Sequence, residues 1–291
     1  MFDVFKSRLE LEGILTTVTA LRISQGRSME PIGSDLPVVK DAFDRPLIPG
    51  SSFKGAMRSR LESFLRGIDS NLAANPAIEE EWSIPPDEMK VLKERFSNDV
   101  ALTEAILGKT DLVSLLFGSP WLSSKLQIQD LTVLPENWFG QYQERDGVAI
   151  DRDTETAAEG KLYDFQVVPA GTPFQFRALV ENAEEWELGL LMIGLHQFET
   201  EQIPLGGGQS RGLGVVKLSL NKHWWFDYPE NDPAQLIQYL QHLIHHEKDH
   251  YLMSPERYDA CKADWANALL AELRKPREQR FIKVTATSSV G

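Results

Sequence analysis

One cysteine stands in 291 residues. Cys261 alone cannot close a disulfide within the chain or build a multi-cysteine zinc site, so a reducing, cytoplasmic setting is the expectation. Long apolar runs are also missing. The longest, residues 188–195, falls far short of the about 20 residues a membrane-spanning helix needs, and the N-terminus has no signal-peptide pattern. Basic residues are scarce: 30 Lys and Arg against 43 Asp and Glu leave a formal net charge of −13. That balance argues against a free-standing, non-specific nucleic-acid binder, which would present a basic surface. No internal repeat or low-complexity tract is present. What remains is ordinary globular composition, 42% hydrophobic and 25% charged, long enough for one large domain or two.

The acid is unevenly spread. Residues 69–99 hold eight acidic and three basic side chains, and residues 181–201 hold six acidic and no Lys or Arg. Residues 1–68 hold ten basic and eight acidic. A phosphate-bearing partner therefore fits only if it is gripped locally or within an assembly.

Alternation at Leu9 and Leu11, then Ile14, Thr16 and Val18, predicts a long strand over 5–23, bent at Gly13. A connection over 24–47 follows, with Asp35 in it and Glu30, Asp41 and Asp44 nearby; loops this long are usually functional or disordered. Pro46, Pro49 and Gly50 stop any earlier helix, and Ser51 or Ser52 is the expected cap of a helix over 52–66. Phe53, Met57, Leu61 and Phe64 make its core face. Residues 69–99 read as an acidic surface insertion with a short helix over 87–96, and 111–116 as a helical turn. Residues 125–134 alternate as a strand. The polar stretch 137–162 reads as a projecting hairpin, 162–168 and 172–180 as strands, 184–199 as a helix, and 203–220 as a glycine-rich loop and strand. Together these predict an α+β, ferredoxin-like core interrupted by insertions. Beyond it, helices are expected over 232–251 and 255–275, and a last strand over 280–287.

Three stretches have residues suited to chemistry. At the start of the first helix, two hydroxyls (Ser51, Ser52) and two cations (Lys54, Arg58) suit a phosphate, because free N–H groups and the helix dipole favour an anion there. The same residues also fit a capped amphipathic helix with solvated charges. Residues 206–214, GGGQSRGLG, match neither a Walker loop nor a dinucleotide fingerprint. Five glycines around one Arg would still let the backbone approach a phosphate chain closely, or serve only as a flexible turn. His246-Glu247-Lys248-Asp249-His250 satisfies H-E-x-x-H on an expected helix, with His242 and His245 beside it. That spacing can hold zinc with Glu247 as base. Lys248 and Asp249 fit a solvated helix face better.

Four segments taken together, IPGSSFKGAMRSRLE, LFGSPWLSSKLQIQD, AIDRDTETAAEGKLYDFQVVPAGTPFQF and GGGQSRGLGVVKL, resemble the RAMP proteins, above all the backbone subunits of type III CRISPR effector complexes. The resemblance spans about residues 4–220. It implies an RRM-like (ferredoxin-like) core over 1–220, with an insertion over about 69–110 and a thumb hairpin over about 134–162. Residues 221–291 would be a helical extension packed on that core. It implies binding of a CRISPR RNA through Ser51, Ser52, Lys54, Arg58, Gly207, Gly208, Gln209, Ser210 and Arg211. The implied partners are target RNA, other RAMP subunits and the large subunit, with no membrane. It further implies an endoribonuclease in which an aspartate before a Pro and a Lys-Asp cuts target RNA with Mg²⁺ or Mn²⁺. GSDLPVVKD gives Asp35 that role as catalytic residue and metal ligand, with Leu36 where relatives often have a polar residue. A loop aspartate making an Asx-turn is the plain alternative for Asp35. A non-catalytic scaffold subunit of the same complex is one alternative for the whole chain, and a zinc peptidase through His246, Glu247 and His250 is the other.

Overall fold

The computed structural model describes residues 4–24, 26, 35–150, 157–228 and 232–275. In chain order the elements are β1 (Ser7–Thr17), β2 (Leu47–Ile48), α1 (Gly50–Ile68), α2 (Pro86–Arg95), α3 (Asp99–Lys109), α4 (Leu112–Phe117), β3 (Leu126–Ile128), β4 (Leu131–Thr132), β5 (Gln143–Ile150), β6 (Ala157–Val167), β7 (Pro173–Glu181), α5 (Glu185–Glu199), β8 (Val216–Asp227), α6 (Pro233–Ile244) and α7 (Pro255–Arg274). The main sheet has the order β3-β7-β1-β8 and is antiparallel throughout. Its strands and the helices α1 and α5 follow a β-α-β-β-α-β path, an α+β arrangement consistent with the ferredoxin-like expectation.

β1 is one of the two central strands, and alternate residues point to the helical side: Leu9, Leu11 and Leu15 are buried there. The phase read after Gly13 needs correction. Ile14 and Thr16 face outward, and Gly13, Leu15 and Thr17 face inward. The irregularity lies in β8, where Asn221 is skipped between Glu12↔Lys222 and Gly13↔Leu220. The bulged strand absorbs the extra residue, so β1 keeps its alternation. A Cβ on Gly13 would come within 2.4 Å of the Ser219 carbonyl, so the close crossing of the two strands needs glycine there. β1 also ends at Thr17, short of the expected Ile23.

Phe53, Met57 and Leu61 of α1 are buried against α5, where Phe53 stacks on Phe198 with centroids 4.0 Å apart. Leu65 completes this i, i+4 stripe, and Phe64 is exposed instead. Among the described residues the insertion holds two α-helices, α2 and α3, around a small core of Ile84, Met89, Leu92 and Ile106. The expected strand over 125–134 divides into β3 and β4, which pair with different partners. β5 and β6 form the hairpin, register Gln143↔Val167 to Ile150↔Ala157. Its 151–156 connection lies outside the described residues, as does the strand expected over 280–287.

Residues 232–275 pack on both faces of the sheet. α7 lies on the α5 side, with Tyr258 stacked on His223 and Trp265 against Trp225. On the opposite face, Tyr239 of α6 stacks on Phe226. Met253 N donates to the His223 carbonyl at 2.8 Å, and Leu252 bridges Trp224 along the β8 edge. Among the described residues, no helix is long and apolar enough to cross a membrane.

Candidate functional site

Asp35 stands where the long loop returns to the fold. Its backbone N–H donates to Asp164 Oδ1 at 2.9 Å. Leu36 then pairs in parallel with Phe165, and Gln166 N donates to the Leu36 carbonyl at 3.1 Å. The segment is thus held against the root of the β5–β6 hairpin. The Asp35 side chain is half-buried, and its carboxylate takes no hydrogen bond or ion pair among the described residues. Asp41 is committed locally, accepting from Phe43 N at 2.8 Å and Arg45 N at 3.0 Å, and pairing with the Arg45 guanidinium at 2.9 Å. Burial is the largest single influence and pushes its carboxyl up, but these bonds and the Arg45 charge together outweigh it and hold it below the usual carboxylate range. Asp41 and Asp44 are therefore parts of the turn: Lys40 pairs with Asp44 at 2.9 Å and lies over the Tyr142 ring.

The glycine loop reaches the same junction. Leu205 N donates to Gly214 O at 2.8 Å to close it, Gly207 N donates to Arg22 O at 2.8 Å, and Gly214 N donates to Ala20 O at 2.9 Å. Gly206, Gly208, Gly212 and Gly214 all have positive φ. A Cβ on Gly206 would meet Arg22 O at 2.0 Å, which makes glycine necessary there for conformation and for space. Leu213 turns inward with Ala20, Phe165 and Val167, and Leu36 packs on this group. The tip is exposed: Gly207, Gln209, Ser210 and Arg211 face solvent, and Gly208 is half-buried. Arg22 lies 4.6 Å over the Phe165 ring.

The first turn of α1 is built differently from the expectation. Pro49 is the cap residue and no side chain of 49–52 caps it; Ser51 and Ser52 lie inside the helix. Asp130, 80 residues away, accepts from Gly50 N at 2.8 Å instead. A carboxylate of the chain itself thus takes one of the helix's free donors. Ser51 is exposed and Ser52 half-buried. Lys54 donates to Ser124 Oγ at 2.6 Å and Leu126 O at 2.8 Å. Arg58 donates to Glu62 at 2.7 Å, Gly118 O at 3.0 Å and Ser114 Oγ at 3.2 Å. Burial, and then the Arg58 charge, bring the Lys54 ammonium down to about 8. Both cations therefore tie α1 to the 114–126 segment. An ammonium has three donors and a guanidinium five, so each keeps donors beyond these bonds.

The H-E-x-x-H stretch is not helical. α6 stops at Ile244, His246 has φ +59°, and Lys248–Tyr251 is a 3₁₀ turn. The two middle residues, which sequence reasoning set aside as solvated, pin this turn to the sheet. Lys248 pairs with Glu10 and lies 3.7 Å over the Trp224 ring, and Asp249 accepts from Trp224 Nε1 at 3.0 Å. His242 contacts Tyr251 OH at 2.9 Å. Among the described residues, no group of three or more His, Cys, Asp or Glu is placed to hold a metal.

The structure therefore brings Asp35, the hairpin root and the glycine loop together, and adds Arg22, Phe165 and Asp164, which sequence reasoning missed. Asp164 is 129 residues from Asp35, and no local pattern marks it.

Known proteins match this part of the chain. Residues 14–217 match the RAMP superfamily. The protein named CRISPR system Cms endoribonuclease Csm3 from Enterococcus italicus is 26% identical over 217 residues, 74% of this chain and 91% of that protein. Its namesake from Methanocaldococcus jannaschii is 28% identical over 222 residues, 73% of this chain and 79% of that one. The Mycobacterium tuberculosis namesake is 30% identical over 224 residues, 73% of this chain and 87% of that one. The chain belongs to the RAMP superfamily and is related to the Csm3-like backbone subunits of type III CRISPR complexes.

Proposed function

We propose that this chain is a CRISPR RNA-binding backbone subunit of a type III effector complex and cleaves target RNA through Asp35. The observation that carries this reading is the Asp35 segment: pinned by its backbone to the hairpin root, it leaves its carboxylate unengaged among the described residues. In this reading the core is RRM-like, and the β5–β6 hairpin is the thumb that enters the guide–target duplex. Ser51, Ser52, Gly207, Gly208, Gln209, Ser210 and Arg211 lie along the guide backbone, and Lys54 and Arg58 contribute their remaining donors. Neighbouring RAMP subunits and the large subunit complete the assembly, in the cytoplasm.

The chemistry asked of Asp35 is small. A target nucleotide turned out of the duplex leaves its 2′-hydroxyl facing the adjacent phosphate. The Asp35 carboxylate accepts a hydrogen bond from that hydroxyl, orients it and can take its proton as the 2′-oxygen–phosphorus bond forms. The phosphorus–5′-oxygen bond breaks, and the departing 5′-oxygen takes a proton from water, leaving a 2′,3′-cyclic phosphate and a 5′-hydroxyl. The described residues form no all-protein metal cage. Mg²⁺ is commonly held by one or two carboxylates together with substrate phosphates, so Asp35 with the RNA fits Mg²⁺ or Mn²⁺. When bound, the ion would stabilise charge on the phosphate oxygens.

The deciding experiment assembles the complex with a guide RNA and maps cuts in a complementary RNA with Mg²⁺, for wild type and Asp35→Ala. Loss of cutting with target binding kept supports the reading. Unchanged cutting moves catalysis to another residue or subunit. A second reading is a non-catalytic scaffold subunit of the same complex. Bound but uncut RNA with both proteins would favour it.

A further inference from the structure

We propose that Asp164 is a positioning residue for cleavage, an inference that rests on Asp35 being the reacting carboxylate. Asp164 lies on β6 at the root of the hairpin and is half-buried. Its Oδ1 accepts the Asp35 backbone N–H at 2.9 Å. One residue later, Leu36 enters its parallel pairing with Phe165. Asp35 is therefore fixed on both sides of its Cα, by a side chain before it and by a strand pairing after it. A backbone restrained on both sides limits where the Asp35 carboxylate can reach, and such placement is worth large factors in rate.

A second observation points the same way. Asp164 is the direct cross-strand partner of Asp146 in the β5–β6 register. Like charges opposed across an antiparallel pair destabilise it. A hairpin built for stability alone has no use for this pair, and a single acceptor aimed at the Asp35 amide gives Asp164 one. The position needs an oxygen acceptor, not a charge, which separates positioning from direct metal ligation.

The test uses the guide-loaded complex and single-turnover cutting of complementary RNA across a Mg²⁺ titration. It compares wild type, Asp35→Ala, Asp164→Ala and Asp164→Asn, with target affinity measured for each. Asp164→Ala is expected to cut about ten- to a hundredfold more slowly with target affinity unchanged. Asp164→Asn keeps the acceptor and should cut within about threefold of wild type, at the same Mg²⁺ midpoint. Wild-type cutting by Asp164→Ala overturns the inference if Asp35→Ala is dead. Equal loss in both Asp164 variants with a raised Mg²⁺ midpoint overturns it too and makes Asp164 a ligand. Loss of target binding in step with cutting overturns it in favour of a folding role. Cutting retained by Asp35→Ala removes the underlying reading instead, whatever the Asp164 variants do.

Discussion

Lys54 Nζ donates to the Leu126 carbonyl at 2.8 Å, joining the second turn of α1 to β3 across 72 residues. Burial and the neighbouring Arg58 lower its folded value to about 8, below the ordinary 10.5. The unfolded chain therefore binds more protons between those values, and stability rises with pH in that window. Wild type should gain stability relative to Lys54→Gln as pH goes from about 8 to about 10, and the difference should be flat below pH 7. Urea unfolding across pH measures it. A constant difference across the whole range would mean that Lys54 is not desolvated.

Lys125 pairs with Glu187 at 2.5 Å, both nearly enclosed, and Glu187 also accepts from Glu184 N to cap α5. Burial raises the Glu187 carboxyl despite Lys125. Lys125→Met would strand the carboxylate and cost about 3–5 kcal/mol at neutral pH. The loss should shrink as pH falls toward 5, because a raised folded value favours protonation and so favours the fold at low pH. Unfolding midpoints at pH 5 and 7.5 check the sign.

The glycine loop separates folding from binding. Gly206→Ala places a Cβ against Arg22 O at a positive φ and should cost about 1–3 kcal/mol. Gly207 meets nothing within 4 Å, so Gly207→Ala should fold as wild type. If the loop lies on the guide backbone, Gly207→Ala should still weaken RNA binding. Thermal melts and RNA affinity of the two variants, side by side, settle which role each glycine has.

His246 occupies the left-handed region at φ +59° and ends α6. His246→Gly should be neutral or stabilising by up to about 1 kcal/mol, whereas a zinc ligand would be lost. Glu247→Gln should change neither stability nor RNA cutting, and dialysis should leave less than one zinc per chain. One equivalent of tightly held zinc, lost in His246→Gly, would contradict this.

The order of the strands and helices was legible because it rests on local periodicity. Leu9 and Leu11 mark β1, Phe53, Met57 and Leu61 mark α1, and the apolar run after Glu184 marks α5. What the sequence concealed is long-range. Ser51 and Ser52 have the right chemistry for a cap, but Asp130 arrives from 80 residues away and takes the Gly50 donor. β1 has no phase slip at Gly13; the extra residue is Asn221 in β8, and only the pairing reveals it. At the site, the motif marked Asp35, but the acceptor that holds its amide comes from the far strand of a hairpin. The helix expected over 232–251 stops at Ile244, and the positive φ at His246 ends the helical geometry that the H-E-x-x-H spacing requires.

Leu252 and Met253 lie alongside Trp224 and His223 on the outer margin of β8. β8 is a terminal strand of the sheet, and such strands offer unpaired backbone to any second chain. Here the chain's own backbone occupies part of that margin, next to the aromatic stack of Phe226 and Tyr239. The remainder shows Lys217 and Lys222 to solvent, which discourages pairing further. Strand-to-strand pairing of two copies along this part of β8 is thereby disfavoured. A second copy that approaches β8 there meets the chain's own Leu252–Met253 segment and lysine side chains, not a row of open backbone groups.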